Sequence, residues 1–439
     1  MSKLTRREFL TTSAAAAAPL ILPSGVLARP GRPGANDKIV LGAIGVGGMG
    51  NRNMRQMYES HPVAAICDVD AQRADDAATW IEEDVDLYSD YRRILDRDDI
   101  DAVLIGTPDH WHAVQTVHAV EAGKDVYVEK PLCNSIEEGR AVVDAVERYG
   151  AVVQVGSQGR SFEPFWRFCS FIRNGEIGEV NRIDCWHERN PVGPNPPDED
   201  PPPELDWDMW LGPARWRPYN PTYCHSTFRW FMEFGGGNIR DRGAHMLSLL
   251  LWAMDRDDDG PVKITATGTP APEGRYDNPI EMDVTWEFKN PDLTVTWRQP
   301  GEAPEEDLDR PYGVIYHGTE SSAFHTGGDA TGGVTDERIV DYEPPADGVH
   351  LPLTAIIGED SGFNVARGHH YNWFECIKTR EQPVMHAGAA HRTASMCILG
   401  NLAYLLGRPL EFDPVAQRFI NDDQANQLLS SPGRGPWHV

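Results

Sequence analysis

From Lys38 to about Gly156 the apolar positions fall in short unbroken runs: Ile39–Val46, Val63–Cys67, Ala102–Gly106, Val126–Val128 and Val152–Val155. Between them lie stretches with helical periodicity, near 51–60, 71–83, 91–95, 113–122 and 136–149. Strands that are apolar throughout, separated by helices, predict parallel βαβ units with both sheet faces covered. After Asn181 the pattern changes to alternation, in Ile264–Gly268, Glu281–Phe288 and Leu293–Trp297, which predicts half-buried strands of a second domain. Asn238–Trp252 reads as one helix, and Tyr371–Leu406 is helical again.

The first 35 residues follow neither pattern. Arg6-Arg7 followed by Phe9-Leu10, a short apolar stretch and Val26-Leu27-Ala28 resemble a twin-arginine export signal. The Pro- and Gly-rich Arg29–Asp37 reads as a linker. The division predicted is therefore signal and linker over 1–35, a nucleotide-binding domain over 36–160 and a second domain over 161–439. Location in the periplasm or outside the cell, with the twin-arginine translocase as an export partner, is the matching expectation. No window carries the roughly 18 uncharged apolar residues of a membrane span.

The formal charge is −27, with 7 Lys among 40 basic residues. Such a surface repels phosphate backbones and anionic lipid, so nucleic acid and membrane are excluded as partners. None of the 7 Cys forms a C-x-x-C pair, which argues against a structural zinc site. No metal motif of fixed spacing appears, and no metal is assigned.

The first run ends in Gly45-Val46-Gly47-Gly48-Met49-Gly50, a G-x-G-x-x-G turn between strand and helix. Its glycines permit the tight turn, close approach of a pyrophosphate and close helix–strand packing, which is the Rossmann dinucleotide fingerprint. Asp68 ends the second strand, placed to accept ribose hydroxyls and repel a 2′-phosphate, so NAD is expected over NADP. Three further clusters follow strands and should meet at the same crevice: Thr107-Pro108-Asp109-His110-Trp111-His112, Glu129-Lys130-Pro131 and Gly156-Ser157-Gln158.

With T-P-D-H-W-H-A at 107–113, E-K-P at 129–131, D-R-G-A-H at 241–245 and G-H-H-Y-N-W-F-E-C-I at 368–377, the chain resembles the Gfo/Idh/MocA oxidoreductases. The resemblance runs from about Lys38 to the last residues and is strongest for the secreted bacterial branch. It implies a Rossmann domain followed by an α+β domain with an open, mostly antiparallel sheet, whose outer face often makes dimer or tetramer contacts. It implies that Lys130 binds substrate beside the nicotinamide and assists proton transfer, and that His110, Trp111 and His112 border nicotinamide and sugar.

Asp241 and His245, four apart, should share a helical face, with His245 as a base and Asp241 holding it or a sugar hydroxyl. Arg160, His187, Arg240 and His391 are further candidates for the substrate pocket, and Gln158 for the cofactor. Trp207 and Trp210 are read mainly as packing. One departure stands out: family dehydrogenases often carry Asp three residues after the histidine, where this chain has Ser248.

The reaction expected is hydride transfer at a carbohydrate carbinol with NAD held tightly. The alternatives are a redox-neutral, NAD-dependent glycoside hydrolase or lyase and a non-catalytic sugar-binding relative. The Pro191–Pro203 loop could cover the cleft or serve an oligomer contact, and Glu302–Arg310 is a second charged loop.

Overall fold

The computed structural model describes residues 38–304, 311–329, 332–354, 365–431 and 433–439. The signal-like segment, its linker and most of the 302–310 loop lie outside these residues.

The runs of the first domain form six parallel strands: β1 (Leu41–Ile44), β2 (Val63–Cys67), β3 (Asp86–Tyr88), β4 (Ala102–Ile105), β5 (Asp125–Val128) and β6 (Val153–Val155), in the order β3-β2-β1-β4-β5-β6. Central strands β1 and β4 are buried at every position, as a parallel sheet covered on both faces requires. The three-residue β3 has two exposed positions and gives no apolar run, so the pattern missed it. The helix Ile136–Tyr149 shows why its ends were readable. Ser135 and Glu138 form a capping box, and Gly150 closes it at φ 66°.

The second domain follows through β7 (Val180–Trp186), β8 (Lys263–Thr269), β9 (Glu281–Phe288), β10 (Leu293–Gln299), β11 (Gly313–Gly318), β12 (Ser322–Thr326), β13 (Leu410–Asp413) and β14 (Arg418–Phe419). Their order is β12-β11-β7-β10-β9-β8-β13-β14. All neighbours are antiparallel except β7 with β10. The sheet is open and mostly antiparallel. In β9 the alternation buries Met282, Val284, Trp286 and Phe288 and turns Glu281, Asp283, Thr285 and Glu287 outward.

Two helices replace the expected C-terminal one, Val365–Thr379 and Ala387–Leu406. The second packs against both the helix Ile136–Tyr149 and strands β8 and β9, so it joins the two domains. The seven cysteines are free, and six of them are buried.

Asn238–Trp252 is also two helices, Asn238–Asp241 and Gly243–Ala253, broken at Arg242. At the break the His245 N–H bonds back only to the Arg242 carbonyl, 3.1 Å away. The Asp241 carbonyl, released from the helical ladder, accepts a hydrogen bond from Lys130 Nζ at 3.1 Å instead. The interruption is thus tied to a side chain from the other domain.

Candidate functional site

The glycine turn seats the helix Gly48–Tyr58 directly on the sheet. Gly45 sits at φ 77°, and a Cβ on Gly50 would stand 1.9 Å from the Gly45 carbonyl oxygen. A Cβ on Gly48 would meet nothing within 4 Å, so this backbone faces open space. The helix has no side-chain cap, which leaves its first-turn N–H groups facing outward with the positive end of the dipole. Asp68 Oδ2 accepts from Val46 N at 2.9 Å and Oδ1 from Asp70 N at 3.0 Å. Burial pushes its pKa up, while these two N–H groups pull it down. An uncapped helix start behind two glycines, with a fixed carboxylate at the end of β2, fits a dinucleotide.

Gly50→Val is expected to push helix from strand. Overpacking of this kind costs about 1–3 kcal/mol and should abolish nucleotide binding, read as a lower melting temperature together with loss of NADH fluorescence enhancement.

From this turn a cleft of about 530 Å³ runs along the carboxyl ends of the strands. Gly45, Gly47, Gly48, Met49, Asp68, Thr107, Pro108, Trp111, His112, Glu129 and Lys130 all line it. Opposite them Met209, Trp210, His225, Ser226, Phe228 and Arg229 form a roof.

Glu129 anchors the E-K-P segment by accepting from Asn53 Nδ2 at 2.7 Å and from Gln158 Nε2 at 2.9 Å. Gly156 makes room for it, since a Cβ there would lie 2.6 Å from Glu129 Oε1. Lys130 then reaches across the domain boundary. Its Nζ donates to Asp241 Oδ1 at 2.7 Å, and Arg229 Nε donates to the same oxygen at 3.1 Å. Burial alone would raise the Asp241 pKa, but Lys130 and Arg229 hold it well below the carboxylate range. His245 lies beside this group. Burial first, and the Lys130 charge second, push its pKa down, so its imidazole is neutral at neutral pH. Its Nδ1 is buried without a hydrogen-bond partner among the described residues.

Lys130 is the member of this group that lines the cleft; Asp241 and His245 do not line it, and Asp241 holds Lys130 and Arg229 rather than the imidazole. Other candidates stand elsewhere. His110 lies behind the cleft wall with Nε2 on the Trp210 carbonyl at 3.0 Å, and burial lowers its pKa to about 3. Gln158 also stands one layer back, held by Tyr127 and Glu129. His112 reaches the lining, but both ring nitrogens are committed to the carbonyls of Pro131 and Thr107, at 2.7 and 2.8 Å.

Arg160, His187, Arg240 and His391 do not line the cleft. Arg160 is buried against Asp257 at 2.6 Å and Ser248 Oγ at 3.0 Å, so Ser248 belongs to the core. His187 stacks between Trp297 and Tyr312, Arg240 binds the Cys133 carbonyl, and His391 bonds Gln417 Oε1 at 2.6 Å. Each is buried and bonded to other protein groups, Arg160 and Arg240 across the boundary between the two domains, a role that composition and spacing do not separate from ligand binding.

The Pro191–Pro203 loop packs behind the roof, where Asn220 Nδ2 donates to the carbonyls of Pro196 and Pro197. Trp207 and Trp210 stack at 4.9 Å within the roof's aromatic core, and Trp210 also reaches the cleft. His369 bonds Ser161 Oγ and the Val155 carbonyl, away from Asp241 and His245. No group of three or more His, Cys, Asp or Glu side chains arranged for a metal occurs among the described residues.

Cleft residues not anticipated include Arg229 and Arg73, while Asp109 was given no role of its own. Asp109 was visible inside the T-P-D-H motif; Arg229 had no sequence signal beyond its place before the glycine run 235–237.

The family model for the oxidoreductase family's NAD-binding Rossmann fold (Gfo/Idh/MocA) matches residues 39–157, and that for its C-terminal alpha/beta domain matches 186–299 and 362–439. Together they cover more than half of the chain. An inositol 2-dehydrogenase of Klebsiella pneumoniae (strain 342) is 33% identical over 159 residues, 35% of this chain and 47% of that protein. A glycosyl hydrolase family 109 protein of Shewanella pealeana is 33% identical over 171 residues, 33% of this chain and 38% of that protein. The chain thus matches less than half the length of these curated relatives. In fold it is similar to a levoglucosan dehydrogenase solved with NADH and levoglucosan, at TM-score 0.60 and 20% identity, covering 86% of this chain and 100% of the other. The chain belongs to the Gfo/Idh/MocA oxidoreductase family, and its N-terminal domain is an NAD-binding Rossmann domain.

Proposed function

We propose that the protein is an NAD-dependent sugar or polyol dehydrogenase acting at a secondary carbinol, with Lys130, Asp241 and His245 as its working residues. The observation that carries the reading is the Lys130–Asp241 ion pair, which ties the cleft-lining Lys130 to the second domain.

Bound NAD supplies the hydride acceptor. The chain's own residues handle the proton. Lys130 presents an ammonium to the cleft and orients the substrate hydroxyl. Asp241 fixes Lys130 through both its carboxylate and its freed main-chain carbonyl. The neutral His245 imidazole takes the hydroxyl proton as the carbinol becomes a carbonyl. Asp68 favours NAD, because a 2′-phosphate would meet its carboxylate. The test is a panel of sugars and inositols with NAD, read by NADH absorbance. Reduction of NAD by at least one member supports the reading; none, with nucleotide demonstrably bound, counts against it.

A second reading has support in the Shewanella relative: oxidation, elimination of an aglycone, hydration and re-reduction with no net redox change. Aglycone release from aryl glycosides by the purified chain, without added NAD, would favour it. The non-catalytic alternative predicts neither activity.

Export by the twin-arginine route to the periplasm or beyond is part of the proposal and rests on the motif at Arg6-Arg7. A homodimer or homotetramer joined through the outward face of the second sheet is the matching assembly, checked by light scattering.

A further inference from the structure

We propose that Arg434 and Trp437 form a clasp that holds the aromatic roof shut and so sets the rate at which the nucleotide leaves. This rests on the reading that the cleft holds NAD, and it adds how the cofactor is kept.

The roof is fastened to the Rossmann domain along one edge by main-chain pairing. Ala71 N donates to the Glu204 carbonyl at 3.0 Å and Asp206 N to the Val69 carbonyl at 2.8 Å, beside the end of β2. His225 Nε2 meets Asp70 Oδ2 at 2.9 Å on the same edge. Midway, the Trp210 carbonyl accepts from Trp111 Nε1 at 3.0 Å. The part of a ligand that lies beneath this layer is hindered from leaving while the layer is held at these points.

The other edge is held by the tail. Arg434 Nε donates to the Gly212 carbonyl at 2.9 Å, Nη1 to Asp208 Oδ1 at 2.5 Å and Nη2 to the Asp208 carbonyl at 2.8 Å. These bonds grip both ends of Trp207–Leu211, the helix that supplies Met209 and Trp210 to the cleft. Trp437 anchors the tail on the opposite side. Its ring packs edge-on to Trp111 at 4.9 Å, near Tyr91 at 6.1 Å, and the Arg92 guanidinium lies 4.9 Å over it. Trp111 and Tyr91 also line the cleft. Neither Arg434 nor Trp437 lines the cleft itself, so they act on exchange as positioning residues.

The experiment loads the full chain with NADH and follows its release by fluorescence after mixing with excess NAD, for wild type, Arg434→Ala and Trp437→Leu. Melting curves report whether each variant folds. Release at least tenfold faster in Arg434→Ala, with melting close to wild type, is the expected result. Arg434→Ala removes only a partly exposed side chain, so it carries the test alone if Trp437→Leu does not fold. Folded variants that release NADH at the wild-type rate overturn the clasp while leaving the proposed function standing. A wild-type chain that takes up no NADH overturns both.

Discussion

Lys130→Met is expected to lower turnover of any carbinol substrate by about 10²–10⁴-fold, the usual range for losing a positioned proton-transfer group, with NAD affinity nearly unchanged. Methionine keeps the length of the chain and removes the ammonium. The nucleotide is held mainly at the glycine turn and Asp68, which the change leaves intact. Removing one partner of a buried ion pair ordinarily costs about 3–5 kcal/mol because the other charge is stranded. Here Asp241 keeps Arg229 Nε at 3.1 Å and Arg242 Nε at 3.8 Å, so the variant should fold with a smaller loss. Steady-state kinetics, NADH fluorescence titration and a melting curve separate the three effects. Wild-type turnover in Lys130→Met would remove the ammonium from the mechanism. Asp241→Asn should act in the same direction more weakly, since an amide oxygen can still accept from Lys130 while the charge that fixes it is gone.

What made the Rossmann half legible was locality. The glycine turn, the strand that precedes it and the carboxylate at Asp68 all lie within 30 residues, and each cluster that meets at the cleft follows its own strand. Lys130 and Asp241 were both identified, but their pairing bridges 111 positions and two domains. So does the break at Arg242, since it is a Lys130 contact that uses the freed carbonyl. The roof was the least legible part. Its aromatic residues between Leu205 and Phe234 follow neither a period of 2 nor of 3.6, because they pack as a cluster of turns and short helical pieces. Arg160 and His391 were misplaced for the converse reason. A buried arginine or histidine bonded to other protein groups has the same sequence signature as one aimed at a substrate, and only Asp257 and Gln417 beside them reveal the difference.

The same buried histidines give the second large effect, a steep loss of stability just below neutral pH. His325, His369, His370 and His391 are each almost fully enclosed, away from the cleft, and burial lowers their pKa to about 3, 4, 3 and 4 respectively. Both ring nitrogens of His325 and of His370 lack a hydrogen-bond partner among the described residues. His325 instead packs edge-on against Phe165 and Phe168, which offer a proton nothing to bind. The sign follows from the depressed values. Above about pH 6.5 these groups are neutral in both states and the fold keeps its full stability. Between there and pH 3–4 the unfolded chain takes up protons that the native state refuses, so stability falls as pH falls. Each histidine contributes about 1.4 kcal/mol per pH unit in that window, and four together remove roughly 5 kcal/mol per unit. Set against the ~5–15 kcal/mol that holds a typical domain, that slope places acid unfolding roughly one to three pH units below 6.5. Melting temperatures measured from pH 7.5 to 4.5 should decline steeply below 6.5, and His325→Phe, which fills an aromatic niche without a titratable ring, should shift the decline to lower pH. A melting temperature that stays level down to pH 5 would mean that these rings gain protons in the folded state, and the enclosure seen around them would not govern their chemistry.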